Sequence, residues 1–438
     1  MCESKTLKAR RFWQALDCKY FFYSIKTISI LLIFGIIFGL TYQLSNIAKA
    51  EITYSELNGE ISLESRYFFK DPINNIQQNK NLSLVAKPEV YLENNSGTSL
   101  TITPFFRFDE SDSHRTHWDL REAYAMLYGD LESSQWEIRM GFDKVFWGVT
   151  ESFHLIDIIN QSDVVEDPSL EEKLGQPMIH GTWVSNLGNF EAFLLPYFRE
   201  RTFLGQRSRL RNNLVVDSQQ TNYESASGRN HLDLAMRYSN TFELFDIGLS
   251  MFDGTNRSPT LSFGLDQGGS LVLIPTYEQI RQYSTDTQVT LKSWLLKFEG
   301  YWRNGEKNRE LIEQDYAAFI SGFEYTQYAP FNSKAELAFI GEFLWDSRGK
   351  NSLSAFENDF FSALRIAIND VNSTEILIGY MQDLDESSRS FAFELGRRIN
   401  DQWFIEFNST LFSNLVSRDL QFPLRRDNFA ELTLNYSF

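Results

Sequence analysis

The chain has 438 residues and a net charge of −17, and 15% of its residues are aromatic, with 38 phenylalanines. An acidic surface repels nucleic acid, so this composition argues against a nucleic-acid-binding protein. The mean hydropathy of −0.32 is slightly polar, and beyond residue 50 no stretch approaches the ~18 continuous apolar residues of a membrane helix. An aromatic-rich chain without such a stretch fits a membrane-spanning β-barrel, in which only alternate residues face lipid.

The first predicted element is a signal peptide over residues 1–50. Basic side chains precede an apolar run at 28–40, and Ala48-Lys49-Ala50 provides a small-residue cleavage site, so cleavage is expected before Glu51. An uncleaved anchor helix is the alternative. Both cysteines, Cys2 and Cys18, lie in this leader, so the rest of the chain has no thiol for a disulfide or a cysteine-based metal site. Residues 51–438 form the second predicted domain, an outer-membrane β-barrel.

Residues 51–438 alternate between apolar and polar side chains in about eighteen segments. This pattern predicts an all-β fold, a transmembrane antiparallel up-and-down β-barrel of about 18 strands, with 16 as the alternative count. The segments lie near 59–69, 81–93, 98–109, 116–128, 135–145, 177–185, 190–200, 230–239, 242–252, 279–291, 294–303, 315–328, 334–345, 357–369, 373–384, 389–399, 402–412 and 428–438. A soluble β-sandwich would not need apolar residues on the outward face of nearly every strand.

The connections between these segments alternate between short and long. Short turns are expected at 94–97, 186–189, 239–240, 292–293, 370–372 and 400–401, and long loops at 146–176, 201–229, 253–278, 304–314, 346–356 and 413–427. Outer-membrane barrels have this arrangement of short periplasmic turns and long external loops. The alternation therefore favours the barrel.

The last ten residues form an amphipathic strand that ends on a phenylalanine. Leu432, Leu434, Tyr436 and Phe438 alternate with polar residues, which is typical of the closing strand of an outer-membrane barrel. This strand predicts localisation in the cell outer membrane, among its lipids. It also predicts that periplasmic chaperones and the barrel-assembly machinery act on the chain.

Charged side chains occupy the strand face opposite to the apolar one, which predicts a charged lumen. The residues predicted to line it are Arg107, Arg139, Arg199, Arg237, Lys297, Glu299, Arg303, Glu324, Glu336, Glu342, Arg365, Glu375, Glu394 and Arg398. Such charges either pair with one another and hold the barrel open or line a path for solutes, and lumens of this size usually combine both roles.

The long connection at 148–176 is the candidate for a loop that narrows the pore. It contains Asp157, followed by Asp163, Glu166 and Asp167, which would lie near the path of a solute if the loop folded into the lumen. An external loop with a solvated acidic face is the alternative, because loops of this length are usually either functional or disordered.

Signals for metal binding and catalysis are weak. Asp112, His114, His117 and Asp119 offer nitrogen and oxygen ligands from one short segment, but two histidines among polar loop residues are mostly just exposed. Beyond residue 50 there is no HExxH, GxSxG, glycine-rich phosphate loop or CxxC pair. The sequence therefore predicts no cofactor, no metal and no catalytic residue, and the protein is not expected to be an enzyme.

Several stretches resemble a poorly characterised group of Gram-negative porin-like outer-membrane proteins. These are residues 120–124, 141–148, 293–299, 322–325 and 358–375. The chain is also more distantly similar to the broad porin superfamily that includes alginate-export and phosphate-selective channels. The resemblance covers most of residues 51–438 and implies a single barrel with a transport role, but it supplies neither a substrate nor binding residues.

These features predict a porin-like channel for the diffusion of small hydrophilic solutes, with a mild preference for cations. A transporter of hydrophobic compounds is one alternative, but residues 51–58 are too few to form an N-terminal hatch. A barrel enzyme or an adhesin is another, although His180 and His231 lie on separate strands with no obvious serine and acid beside them. Homo-oligomerisation is left open, and no nucleic-acid partner is expected.

Overall fold

The structure is a computed structural model that describes residues 51–438, so the predicted signal peptide lies outside the described residues. The main sheet has eighteen antiparallel strands, and it closes into a barrel because β1 pairs with both β2 and β21. The predicted all-β barrel of about 18 strands is confirmed. Among the described residues, no helix is long and apolar enough to cross a membrane.

The strands in chain order are β1 (Ile52–Phe68), β2 (Lys80–Asn94), β3 (Ser99–Asp109), β4 (His117–Leu131), β5 (Ser134–Asp143), β6 (Gln176–Ser185), β7 (Gly188–Leu195), β8 (Asn222–Tyr223), β9 (Asp233–Phe242), β10 (Phe245–Thr255), β11 (Thr260–Leu265), β12 (Leu271–Tyr277), β13 (Gln279–Leu291), β14 (Trp294–Asn304), β15 (Tyr316–Tyr328), β16 (Glu336–Asp346), β17 (Asn358–Ala367), β18 (Glu375–Asp383), β19 (Arg389–Arg398), β20 (Trp403–Ser413) and β21 (Phe429–Ser437). Single turns of 3₁₀-helix lie at Ser218–Gln220, Gly228–Asn230, Pro330–Asn332, Gly349–Asn351 and Phe422–Leu424.

Residues 55–92 and 99–438 form one compact unit, which contains the barrel wall and every connection except the β2–β3 turn. The other unit includes residues 51–54 and 93–98. Within it, the Thr53 hydroxyl donates a hydrogen bond to the Glu93 carbonyl at 3.3 Å, and the Asn94 amide donates to the Thr98 carbonyl at 3.1 Å.

Barrel strand β14 has an exposed apolar face and a covered polar face. On β14, Phe298 is 37% exposed, whereas its neighbour Glu299 is fully buried. The same alternation separates Trp302, which is 42% exposed, from the buried Arg303. Because successive side chains of a strand point to opposite sides of the sheet, the barrel wall at β14 is apolar and exposed on one surface and polar and largely covered on the other. An exposed apolar wall is what a lipid environment requires.

One predicted turn is wrong. The sequence places a turn at Ser239–Asn240, but β9 continues to Phe242 and the chain reverses at 243–244. Glu243 adopts the left-handed conformation there, with φ 55°, and the Thr241 hydroxyl donates to the Asp246 carboxylate across the hairpin at 2.6 Å. The turn moves because Phe242 and Phe245 pair opposite each other, which outweighs the turn preference of Ser-Asn.

The connections predicted as long loops after β7 and β10 contain a second sheet that the sequence analysis missed. β11 and β12 form an antiparallel hairpin, and β8 pairs in parallel with β12 over two residues. Asp266 closes the hairpin by accepting bonds from the Gly268 and Ser270 amides, both at 2.8 Å. These strands have two to seven residues, which is too short for the alternation to stand out in the sequence.

The two faces of a strand should tolerate a charge differently. Ile378 of β18 is 46% exposed on the apolar face, whereas Leu377 lies opposite Arg365 and Glu394 on the polar face. Because a lipid-facing arginine near the bilayer midplane costs about 2–4 kcal/mol, Ile378→Arg should lower the free energy of unfolding in vesicles far more than Leu377→Arg. A reversible denaturant titration compares them, and equal losses would mean that the faces of β18 are wrongly assigned.

Candidate functional site

Residues 144–175, which connect β5 to β6, reach across the barrel and are termed the crossing loop. Two buried carboxylates of the opposite wall, Glu299 of β14 and Glu342 of β16, hold it. Glu299 accepts hydrogen bonds from the amides of residues 149 and 150 at 2.6 and 2.9 Å. Glu342 accepts bonds from the amides of residues 151 and 152, both at 2.8 Å. Because β7, β9, β10 and β13 lie between β6 and β14 in the sheet, the loop spans the barrel interior.

Hydroxyl groups of the loop add further donors to the same two carboxylates. The Thr150 hydroxyl donates to Glu299 at 2.7 Å, and the Ser152 hydroxyl donates to Glu342 at 2.5 Å. Burying a carboxylate is costly unless its oxygens are hydrogen-bonded, and main-chain amides satisfy that requirement without a cation. The wall therefore fixes the tip of the loop through its backbone.

The two ends of the crossing loop, next to β5 and β6, are joined to each other and to β4. The Asn160 side-chain amide donates to the carbonyls of Asp143 and Leu174 at 2.8 and 2.9 Å. At Gly175 a Cβ atom would lie 2.1 Å from the Arg121 carbonyl oxygen, so only glycine allows the loop to approach β4 this closely. Both ends of the loop are thereby held in one position.

Apolar side chains of the loop fill part of the barrel interior. Trp147, Ile156, Ile158 and Ile159 form a buried cluster with wall residues Met178, Phe193, Leu195, Ala235, Phe252 and Ile280. Farther along the wall, Phe153 and Leu155 pack against Ile320, Leu344 and Met381. Burial of this apolar surface supplies most of the stabilisation expected for the loop, and it covers the inner side of the wall around β6, β7, β9, β10 and β13.

Two of the four acidic residues predicted for a constriction are bound to arginines. Arg121 of β4 donates to the Asp163 carboxylate at 2.6 Å, and Thr202 donates to the other oxygen at 2.5 Å. Arg107 of β3 donates to Glu166 at 2.8 Å. Asp163 and Glu166 thus fasten the loop to β3 and β4, and their charges are compensated.

The other two predicted acids differ in their environments. Asp157 is paired with Lys173 at 3.2 Å, and burial raises the pKa of its carboxyl group. Asp167 accepts a bond from the Ser169 amide at 2.8 Å, and its own amide donates to the Asp163 carbonyl at 2.9 Å. Asp167 therefore stabilises the turn between Asp163 and Ser169.

Four carboxylates influence one another near the end of the crossing loop: Glu151, Asp167, Glu171 and Glu394, which we term the acidic group. Partial removal from water, followed by repulsion from Asp167, Glu394 and Glu151, raises the pKa of Glu171 to about 7. Glu151 also forms ion pairs with Arg365 and, at 3.9 Å, with Lys297. Glu151 and Glu171 could not be placed beside Glu394 of β19 from the sequence, because only the path of the loop brings them together.

Thirteen of the fourteen residues predicted to line a lumen lie on barrel strands, and Arg199 does not. β7 ends at Leu195 and is followed by Pro196, which has no amide hydrogen to continue the ladder. Arg199 lies beyond it and pairs with Asp119 at 2.6 Å. The assignment of Arg199 to a strand is therefore corrected.

Several of the charged residues on the polar face are paired. Their ion pairs include Arg139 with Glu137 at 2.7 Å, Arg237 with Asp286 at 2.8 Å, Arg303 with Glu306 at 2.5 Å, and both Lys297 and Arg365 with Glu324 at 3.5 Å. Glu336 accepts a bond from the Asn369 amide group at 3.2 Å. Glu375 and Arg398 lie at the first residue of β18 and the last residue of β19. Pairing of this kind holds the side chains against the wall.

The residues considered as metal ligands have other partners. Asp112 accepts bonds from the Gly205 amide and from Ser208, and Asp119 pairs with Arg121 and Arg199. His117 does lie near Asp163 and Glu166, with one ligand atom of each within 4.8 Å of the others. Both carboxylates are already engaged by arginines, so this group lacks the free ligands that a metal site requires.

His180 lies on β6, whereas His231, which was predicted to lie on a strand, precedes β9, and each histidine contacts an acid. The His180 Nε2 atom lies 3.1 Å from Glu191, and the His231 Nδ1 atom lies 2.8 Å from Asp233. Asp233 is also bound by Arg257 at 2.8 Å. Neither pair has a serine among its hydrogen-bond partners in the described chain, so neither forms a nucleophile, base and acid arrangement.

No protein-family model and no curated protein matches the chain. Among solved structures, it is similar to mutants of a porin from Rhodopseudomonas blastica. A double mutant is 10% identical, and the match covers 88% of this chain and 100% of that one with a TM-score of 0.42. A triple mutant has the same identity, coverage and TM-score. Each of these two proteins is a porin.

Proposed function

We propose that this protein is an outer-membrane channel through which small hydrophilic solutes diffuse, with the polar face lining the lumen and the crossing loop narrowing it. The observation that carries the proposal is the attachment of the loop tip to Glu299 and Glu342 on the far wall. A segment held across a closed barrel narrows the path through it, as a selective channel requires.

The distribution of charge supports a preference for cations. Arg107 and Arg121 are each engaged by carboxylates, whereas the acidic group contains four carboxylates and contacts two cations, Lys297 and Arg365, through Glu151. Excess negative charge at a narrow point attracts cations and repels anions. The exposed apolar wall supports the accompanying proposal that the barrel lies in the outer membrane. The Ala48-Lys49-Ala50 site supports the proposal that residues 1–50 are removed before Glu51.

Conductance across a planar lipid bilayer tests this function. Insertion of the purified protein should produce stepwise current increases, and the reversal potential across a salt gradient should indicate cation preference. The preference should weaken toward 1 M salt, where the Debye length falls to about 3 Å. Absence of conductance from folded, inserted protein would overturn the channel, and strong anion selectivity would place the arginines at the narrowest point.

A further inference from the structure

Five of the short turns at one edge of the barrel expose a large apolar side chain. The exposed fractions are 69% for Leu187, 50% for Leu244, 99% for Phe331, 94% for Val371 and 51% for Ile399. These residues lie in the β6–β7, β9–β10, β15–β16, β17–β18 and β19–β20 connections. Turns in water are normally built from small and polar residues, so this edge is unusual in its chemistry.

Phe331 is also held in an unfavourable backbone conformation. Its φ of 56° and ψ of 30° are left-handed, a region that a bulky residue rarely occupies. Glycine or asparagine would adopt this conformation more easily and would not expose an aromatic ring to water. The turn thus combines backbone strain with full exposure of a phenylalanine, and strain of this kind accumulates where a surface has a role.

The apolar turns continue the apolar outer face of the strands. Leu187 follows Trp183, which is 42% exposed, and Leu244 lies between Phe242 and Phe245, which are 50% and 48% exposed. At these two turns, the surface that we assign to lipid therefore extends from the wall into the turn. Its continuity with the wall indicates that the same hydrophobic medium covers both.

The distribution of the turns around the barrel identifies the occupant as a membrane. They extend from β6 to β20 along the closed sheet. A folded protein partner contacts one contiguous side of a surface, whereas a membrane can contact turns that are spread around the rim of a barrel. Aromatic and aliphatic side chains at such a height lie at the boundary between headgroups and acyl chains.

We propose that these apolar turns insert into the headgroup–acyl boundary of the periplasmic leaflet and anchor the edge of the barrel there. The proposal rests on the proposed function, because it requires the barrel to span a membrane. Arg397, on the exposed side of β19, pairs with Asp370 at 2.9 Å close to Val371 and Ile399, so a charged pair lies at the level of the lipid headgroups. The turns then fix the depth of the channel in the membrane.

Site-directed spin labelling measures this depth directly. Because Cys2 and Cys18 are the only cysteines, the full-length chain with both replaced by serine accepts one new cysteine at a time. Nitroxides at Phe331→Cys and Val371→Cys are compared in phosphatidylcholine vesicles by their accessibility to oxygen and to a water-soluble nickel chelate. Ile378→Cys provides the lipid-facing control and Gln267→Cys, at the exposed tip of the β11–β12 hairpin, the aqueous control.

At Phe331 and Val371 the ratio of oxygen to nickel accessibility should lie severalfold above that at Gln267 and below that at Ile378. If the ratios at Phe331 and Val371 equalled that at Gln267 while Ile378 lay in lipid, the insertion of the turns would be overturned. The membrane-spanning barrel would still hold. The insertion would also be overturned if the turns were shielded from the nickel chelate in cell envelopes but had the same accessibility ratio as Gln267 in vesicles. That result would favour a protein partner. A water-like ratio at Ile378 would instead refute the membrane-spanning barrel on which the proposed function depends.

Discussion

Replacing Glu342 with glutamine should release the tip of the crossing loop. One carboxylate oxygen accepts the Glu151 amide at 2.8 Å, and the other accepts the Ser152 amide at 2.8 Å and its hydroxyl at 2.5 Å. A glutamine must direct its NH₂ group at one of these donors, and the unsatisfied buried groups should cost about 1–3 kcal/mol. Glu342→Gln should therefore lower the free energy of unfolding by this amount and raise the open-channel current noise.

Glu324→Gln is the matched control for this experiment. Glu324 lies on the polar face of β15 and contacts Lys297 and Arg365, both at 3.5 Å. Lys297 and Arg365 both keep Glu151 as a partner, so the loss of Glu324 should cost less than the loss of an acceptor for the loop amides and should leave the loop in place. If Glu342→Gln and Glu324→Gln had the same stability and the same current noise, the attachment of the loop through its amides would be refuted. Glu299→Gln should reproduce the effect of Glu342→Gln.

Acidification from pH 8 to pH 6 should reduce the cation preference of the channel. With a pKa of about 7, Glu171 is about nine-tenths ionised at pH 8 and about one-tenth ionised at pH 6. The acidic group then loses one negative charge. Reversal potentials measured across a fixed salt gradient should move toward zero, with a midpoint near neutral pH.

The raised pKa of Glu171 also determines how the stability of the folded protein changes with pH. Because the pKa of Glu171 is higher in the folded protein than in the unfolded chain, the protonated carboxyl group favours the folded state, and this contribution to stability is lost as the pH rises through 7. Glu171→Gln should remove the neutral-pH midpoint and give, at pH 8, the selectivity that the unaltered channel shows at pH 6. An unchanged titration in Glu171→Gln would assign the pH dependence to other groups.

The barrel could be predicted because its signal is local. Alternation along a strand such as β14 reflects lipid on one side and polar surroundings on the other, and a short connection such as that at 292–293 marks a reversal. Predictions failed where a distant or cross-strand partner decides the structure. The pairing of Phe242 with Phe245 moves one turn, and β8 forms only because the β12 edge lies beside it.

The candidate site was predictable in its composition but not in its contacts. Asp157, Asp163, Glu166 and Asp167 indicated the right loop, yet Asp163 and Glu166 are bound by Arg121 and Arg107. Such long-range pairs leave no periodic trace in a sequence. One signal was available: Phe193 and Leu195 are apolar on the face of β7 that a water-filled lumen would leave polar, and this indicated a covered inner wall.

The wall holds the tip of the crossing loop by main-chain amides, which every residue except proline provides. Substitutions at Glu151, whose side chain takes no part in its bond to Glu342, therefore change the charge near the path without moving the backbone. The position of the loop and its chemistry are separately adjustable. A scaffold of this type lends itself to engineering, because new selectivities can be installed at the tip without redesigning the barrel.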